Sequence, residues 1–283
     1  MRADLHIHTT ASDGVFSSGA ILASAKEAAL DAIAITDHDT LGGIDAALTC
    51  AKTHNILCIP GVEISAGGDE EIHILAYGVT AMDEKLNELF RAMQQERIRR
   101  ARRICEKLTS LSMPVDVEKV YETAGDSVGR PHIAREMVRL GYVNDVSAAF
   151  DRYLGKGRCA FVSREKLPPT HVIRLIRESG AVPVLAHPIE LGMRRTQLLP
   201  LLTEWKDNGL MGIEVYHPTQ RSDFASWLRV AGDYDLLVTG GSDFHAPNRP
   251  NGPLGNTADK WQDCQTHIAR LIDHLRPGTC FIP

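Results

Sequence analysis

The sequence predicts an α/β fold, a parallel sheet or barrel wrapped in helices. Two observations carry this. Short apolar runs alternate with helix-length segments at both ends of the chain, the pattern of repeated strand–helix units. Runs such as Ala32-Ile33-Ala34-Ile35 are apolar throughout, as strands covered on both faces must be. With 283 residues and 43% hydrophobic content, the chain can build a sizeable core as one large domain, with or without an inserted subdomain.

The first strand is Asp4-Leu5-His6-Ile7-His8. Leu5 and Ile7 share one side, and Asp4, His6 and His8 the other, because side chains two apart share a face. The two imidazoles then lie about 7 Å apart along the strand, close enough to lean onto one metal ion. A buried strand with two hydrogen-bonded histidines would look the same in isolation; recurrence of the pattern at other strand ends is what favours chemistry. Ser12-Asp13-Gly14 adds a loop carboxylate above the same end. Residues 21–30 read as a helix capped by Ser17 or Ser18. Residues 32–35 form a strand ending in Thr36-Asp37-His38-Asp39, residues 43–53 a helix, and residues 57–62 a strand ending in Glu63. Residues 72–77 form a strand with His73 near its start.

The rhythm then breaks. Residues 82–111 read as one long charged helix whose segment Glu96 to Arg103 holds five arginines. A solvated helix face explains them better than a polyanion-binding one. Short helices follow at 117–123, 132–140 and 146–153, with no strand. Residues from approximately 100 to 165 are therefore expected to be a helical insertion in a domain spanning 1–283. Alternation resumes with a helix at 170–179, a strand at 182–186 ending in His187-Pro188, and a helix at 198–208. A strand at 211–216 ends in His217-Pro218. A helix at 224–234, a strand at 236–239 followed by Ser242-Asp243-Phe244-His245, and a helix at 262–275 close the chain.

Six of these seven strands carry a His, Asp or Glu at or just past the C-terminal end, and the strand with His73 carries it inside. Barrel active sites sit on that face. His6, His8, Asp13, His38, Glu63, His73, His187, Asp243 and His245 would meet there, with His217 at the rim. His54, His171, His267 and His274 fall on helices and read as packing residues. Nine ligand-type groups exceed what one ion takes and suit two or three divalent ions, Mn²⁺ first, with Fe²⁺ or Zn²⁺ as alternatives. Such ions lower the pKa of water towards neutrality and offset phosphate charge. The net charge of −5 excludes a generally polyanion-binding surface. Six scattered cysteines without a C-x-x-C suit a reducing, cytoplasmic setting. Neither a signal peptide nor a membrane-spanning apolar run is evident.

Together, Asp4 to Gly14, Thr36 to Thr40, Gly61 to Ser65, Ala186-His187-Pro188 and Gly241 to Pro247 resemble the polymerase-and-histidinol-phosphatase (PHP) family. Gly129-Arg130-Pro131-His132 and Tyr153 to Arg158 resemble its branch of 3′,5′-nucleotide bisphosphate phosphatases and 5′→3′ exoribonucleases. The resemblance implies a distorted (β/α)₇ barrel. It implies one ion on His6, His8, Glu63 and Asp243, a second on Glu63, His73 and His187, and a third on Asp13, His38 and His245. A phosphomonoester of a nucleotide, or a short 5′-phosphorylated RNA or DNA end, is the expected substrate; no obligate protein partner is evident. Asp13 belongs to the catalytic set, and His245, His217 or a water would protonate the leaving group. Arg130, His132, Lys156 and Arg158 are the candidate phosphate-binding residues. A histidinol-phosphate phosphatase, a metal-dependent amidohydrolase and a non-enzymatic accessory module are the competing readings. The amidohydrolase would need a lysine ligand at a strand end, and none is found.

Overall fold

A computed structural model describes residues 1–67, 71–220, 223–247 and 251–283. Seven strands form one curled sheet in the order of the chain: β1 (Ala3–Ile7), β2 (Ala32–Ile35), β3 (Leu57–Ala66), β4 (Ile72–Tyr77), β5 (Val182–Leu185), β6 (Gly212–Tyr216) and β7 (Leu237–Gly240). A parallel bridge between Ile7 and Phe244 ties the first strand to the segment after the last, with His8 N–H donating to the Phe244 carbonyl at 2.9 Å.

The expected count of seven holds; the expectation of a wholly parallel sheet does not. β1 to β3 are parallel, as are β5 to β7, but β4 runs antiparallel to both β3 and β5. Only residues 67–71 separate β3 from β4, and a parallel crossover needs a dozen or more. The reversal accounts for His73. The start of an antiparallel strand lies at the same sheet edge as the ends of its parallel neighbours. It also extends β3 beyond the expected end at Val62, because Gly61 to Ala66 pair with Tyr77 to Ile72. Glu63 therefore lies inside a strand, held by ladder bonds on both sides.

Helices α1 (Ser18–Glu27) and α2 (Ile44–His54) cover β1 to β3. Ser17 caps α1, its hydroxyl accepting from the Ala20 N–H. Ile21, Leu22, Ala25, Ala47 and Ala51 pack there against Ile33, Ile35 and Cys58, all buried. Each such large aliphatic side chain contributes about 1.5–3 kcal/mol through burial. Helix α3 (Glu84–Ser110) starts at Asp83, whose carboxylate accepts from Leu86 N–H. α4 (Val117–Glu122), α5 (Arg130–Arg139) and α6 (Val146–Ala149) follow, and α6 widens into a π-turn over Phe150–Leu154. α7 (Pro169–Glu178), α8 (Arg195–Asp207), α9 (Phe224–Asp233) and α10 (Cys264–Ile272) accompany the second half of the sheet.

Helix α3 belongs to two cores. Leu86, Phe90 and Met93 pack into the core of the sheet. Ala101, Ile104, Cys105 and Leu108 pack into a separate cluster with Val120, Ile133, Met137, Leu154 and Val162. Arg97 sits between the two. Of the five arginines expected on a solvated face, Arg99, Arg102 and Arg103 are exposed. Arg97 instead turns inward because Asp39 awaits it.

Asp39 is fully buried beside β3, and Ser65 N–H donates to its Oδ1 at 2.7 Å. Its Oδ2 accepts from Arg97 Nε at 2.9 Å and from Arg164 Nη1 at 3.3 Å. Burial alone would raise the Asp39 carboxyl, but the two guanidiniums outweigh it and hold it well below the usual range. Two arginines from outside the sheet are thus fastened to one carboxylate in the turn after β2, which is itself tied to β3 through Ser65. Removing one partner of a buried pair leaves uncompensated charge, at about 3–5 kcal/mol. Asp39→Ala is expected to lower the unfolding free energy by about that amount; a loss below about 1 kcal/mol in urea titration would show these arginines to be solvated.

Candidate metal centre

The described part of the chain brings all nine ligand-type residues to one edge of the sheet. Three sets place one donor atom from each member within 4.8 Å of one another: His6, His8, Glu63 and Asp243; His8, Asp13, His38 and His245; and His38, Glu63 and His73. Donors bound to one Zn²⁺-like ion at about 2.0–2.3 Å span distances of this order. The parity of β1 directs His6 and His8 to the same side, as anticipated. Their Nε2 atoms lie 3.3 and 3.2 Å from Glu63 Oε2. His8 Nε2 is 3.1 Å from Asp243 Oδ1. His38 Nδ1 approaches Glu63 Oε2 at 3.0 Å, while His73 Nδ1 and His187 Nε2 approach its Oε1 at 2.8 and 3.0 Å. Asp13 Oδ1 lies 3.1 Å from His245 Nε2.

These contacts bring lone-pair atoms together without enough protons to satisfy them. Among the described residues, His6 Nε2, both ring nitrogens of His8, Asp13 Oδ1, His38 Nδ1, Glu63 Oε2 and His187 Nδ1 are buried with no hydrogen-bond partner. Orphaned polar atoms are costly, and divalent cations would satisfy this set, so the residues fit the ions that the sequence implies. The electrostatics agree. Burial disfavours charged imidazoles, yet Glu214, Glu63 and Asp243 hold His6 well above its ordinary value. His8 is likewise raised to about 10, and His187 to about 9, by carboxylates that overcome burial. Glu63 and Asp243 are held well below theirs, against burial, by the histidines around them. The pocket therefore draws positive charge, in a place where metals and protons compete.

Two ligand-type residues just past strand ends take left-handed backbone, His187 at φ 25° and Asp243 at φ 51°. Neither is a glycine, and such conformations cost of order 1–3 kcal/mol, persisting where surroundings enforce them. One enforcing contact is the backbone at Gly241, where a Cβ would collide with His6.

Several supporting residues escaped the sequence reading. Glu214, fully buried in β6, binds His6 Nδ1 at 3.0 Å through Oε1, and its Oε2 accepts from His187 N–H at 2.8 Å. Such carboxylates orient ligand imidazoles; the available signal was a lone glutamate inside an apolar strand. Asp37 accepts from Thr9 N–H at 2.7 Å and Ser12 Oγ at 2.6 Å, fixing the loop that carries Asp13. Asp4 does the same for Ser242, before Asp243.

A cavity of about 210 Å³ opens over the cluster. Asp13, His38, Glu63, His73, His187, Asp243 and His245 form one side, and Arg97, Arg100, Arg130 and Arg164 another, with Glu71 beside them. A larger cavity of about 630 Å³ adjoins it, lined by Arg100, Arg130, Lys156, Arg164, Lys166, Phe161, Glu71 and Glu190 among others. Arg130 lines both and stacks near the Phe150 and Phe161 rings, 5.4 and 5.7 Å from their centroids. Lys156 lines the larger one. Two of the candidates lie apart from these cavities. His132 is 1% exposed and caps α5, its Nδ1 accepting from Gly129 N–H at 3.0 Å; burial pulls its pKa to about 4. Arg158 is exposed and lines neither cavity. Arg97, Arg100, Arg164 and Lys166 are the cations that sequence reasoning missed here. His217 also departs from expectation: it is buried rather than at the rim, with Nε2 3.8 Å from Asp243 Oδ2.

A mixed α/β sheet with an acid–imidazole cluster along one edge defines the class of molecule. The chain belongs to the PHP domain family, whose pattern matches residues 4–154. It is 35% identical over 246 residues to a 5′-3′ exoribonuclease of Haemophilus influenzae, covering 86% of this chain and 90% of that one. It is 28% identical over 281 residues to a 3′,5′-nucleoside bisphosphate phosphatase of Chromobacterium violaceum, covering 95% and 99%. Among solved structures, a proposed metal-dependent phosphoesterase of Bifidobacterium adolescentis superposes with a TM-score of 0.85 at 29% identity, covering 98% and 97% of the two chains.

The shared position of Glu63 generates a prediction. Glu63→Gln is expected to lower metal content and kcat more than Asp13→Asn, because its carboxylate touches two of the three sets. Elemental analysis of the two purified variants checks it; the opposite order would refute the sharing.

Proposed function

We propose that this chain is a metal-dependent phosphoesterase acting on nucleotides with more than one phosphate, such as nucleoside 3′,5′-bisphosphates, or on short 5′-phosphorylated oligonucleotides. The observation that carries the reading is the pairing of an orphaned acid–imidazole cluster with a cationic wall across one cavity. The names of the two relatives support the same substrate class. We read the curled sheet as a distorted (β/α)₇ barrel lacking the helix between β3 and β4. The helices between β4 and β5 are read as an insertion contributing to the substrate site.

His6, His8, Glu63 and Asp243 would hold one ion, Glu63, His73 and His187 a second, and Asp13, His38 and His245 a third, with Mn²⁺ the first choice of metal. When bound, such ions supply an activated water and offset charge on the phosphate. The chain's own residues do the rest. Glu214 holds the His6 ring by Nδ1, leaving Nε2 to face the cluster. His245 Nδ1 lies 2.9 Å from the Asp243 carbonyl, which can only accept, so Nδ1 donates there and Nε2 is the ring atom left to face Asp13 and the cluster. That suits a ligand better than a proton donor, and we assign leaving-group protonation to solvent in the cavity. Arg164 and Arg97, locked to Asp39, present fixed positive charge to the reacting phosphate. Arg130 and Lys166 reach a phosphate further out. A histidinol-phosphate phosphatase, with one phosphate to bind, would leave that second cationic cavity unused. No lysine lines the cavity over the cluster among the described residues, which counts against an amidohydrolase.

Treatment with a chelator is expected to abolish hydrolysis, and Mn²⁺ to restore it, with adenosine 3′,5′-bisphosphate preferred over histidinol phosphate. Full activity in metal-free protein would overturn the proposal. Arg130→Ala is expected to lower kcat/KM on the bisphosphate by about 1.5–3 kcal/mol, roughly ten- to a hundredfold, and much less on an aryl phosphate. Equal losses on both substrates would place Arg130 at the reacting phosphate instead.

A further inference from the structure

The larger cavity holds an anion that belongs to the protein. Glu71, immediately before β4, places Oε2 2.9 Å from Arg130 Nη2 and Oε1 3.3 Å from Lys166 Nζ. Both cations are mostly buried, their side chains 16% and 7% exposed, whereas the Glu71 side chain is 43% exposed. Arg100 and Arg164 line the same walls. A fixed cationic nest is thus neutralised in part by Glu71, a carboxylate with a route to solvent; Glu165 and Glu190 also line the cavity, but Glu71 is the one seated on Arg130 and Lys166. Any second phosphate entering the nest meets Glu71 on the cations it needs.

We infer that Glu71 is a specificity-determining competitor, an intramolecular anion that occupies the second-phosphate subsite until a tethered substrate phosphate displaces it. This rests on the reading of the chain as a phosphoesterase of multiply phosphorylated nucleotides. The physical case is one of effective concentration and charge. Glu71 is attached to the chain, so free phosphate at sub-millimolar concentration competes against a local concentration on the order of millimolar. A phosphate on a ligand already anchored at the cluster enjoys a comparable local concentration. It also brings a charge near −2 against the carboxylate's −1, and so wins. Ligands with one phosphate must bind with the nest still closed on Glu71. The carboxylate therefore lowers affinity for every ligand that uses the nest, by the fraction of time the nest is free. A ligand held at the cluster by its only phosphate does not use the nest and escapes that penalty.

The test is binding rather than turnover. Isothermal titration of a non-hydrolysable phosphonate analogue of adenosine 3′,5′-bisphosphate, the matching analogue of adenosine 5′-monophosphate and inorganic phosphate would be run on the Mn²⁺-loaded wild-type protein, Glu71→Gln, Glu71→Asp and Lys166→Met. Glu71→Gln is expected to tighten the bisphosphate about tenfold, a difference of about 1.4 kcal/mol. It is also expected to widen the preference for the bisphosphate over the monophosphate, while Glu71→Asp stays near wild type and Lys166→Met weakens the bisphosphate. Weaker binding by Glu71→Gln would overturn the inference, showing Glu71 to be a brace that positions the cations. Unchanged binding by Glu71→Gln with weakened binding by Lys166→Met would also overturn it, leaving the second-phosphate subsite itself intact. If Lys166→Met binds all three ligands as wild type does, and the bisphosphate binds no tighter than the monophosphate, the subsite reading fails and the inference falls with it.

Discussion

A carboxylate removed from water must find compensating charge, and at Glu63 five imidazoles provide it. His6, His8, His38, His73 and His187 each place a ring nitrogen within 3.3 Å of one of its oxygens. Those rings come from β1, from the ends of β2 and β5, and from the start of β4, while Glu63 lies in β3. An uncompensated charge here would cost several kcal/mol. The sheet's curl and strand order are therefore tied to the electrostatics of one residue, and the sheet and the cluster cannot be understood separately.

The antiparallel β4 is the geometric solution. Parallel strands bring ligands to this edge at or just past their C-terminal ends, and several of those, Asp13, His38, His187, Asp243 and His245, lie beyond the strands. A reversed strand delivers His73 from inside its first turn of ladder bonds, Ser65 being its partner. It also lengthens β3, so Glu63 is gripped on both sides. The most shared donor thus stands on the stiffest piece of backbone, while Asp13 and His245 stand on loops fixed by side-chain hydrogen bonds.

The sequence shows the strands, their number and the ligand-type residues clearly, because period-two parity and apolar runs are local properties. His6 and His8 share a face for reasons confined to five residues. The direction of β4 was legible too, in the shortness of the link at 67–71, but apolar content alone does not reveal it. Glu214 and Asp39 were opaque for another reason. A buried carboxylate is explained by partners distant in sequence, and Arg97 and Arg164 lie 58 and 125 residues from Asp39. His132 and Arg158 show the converse difficulty. Motif-like context made them phosphate-binding candidates, but a helix N-terminus claimed one ring nitrogen and the other residue projects outward. Charge type can be read from sequence; orientation depends on which competing hydrogen bond is nearest.

Helix α3 couples two cores. Its N-terminal half is part of the sheet's core and its C-terminal half is part of the core it shares with α4, α5 and α6. A helix propagates through successive backbone bonds, so disorder in one half frays into the other. Two cores joined by a loop can melt separately, whereas two cores that share an unbroken helix, with Arg97 buried at the seam, lose their order together. The helices from α4 to α6 are in this respect no detachable module: their melting would displace Arg130, and with it part of the cavity wall.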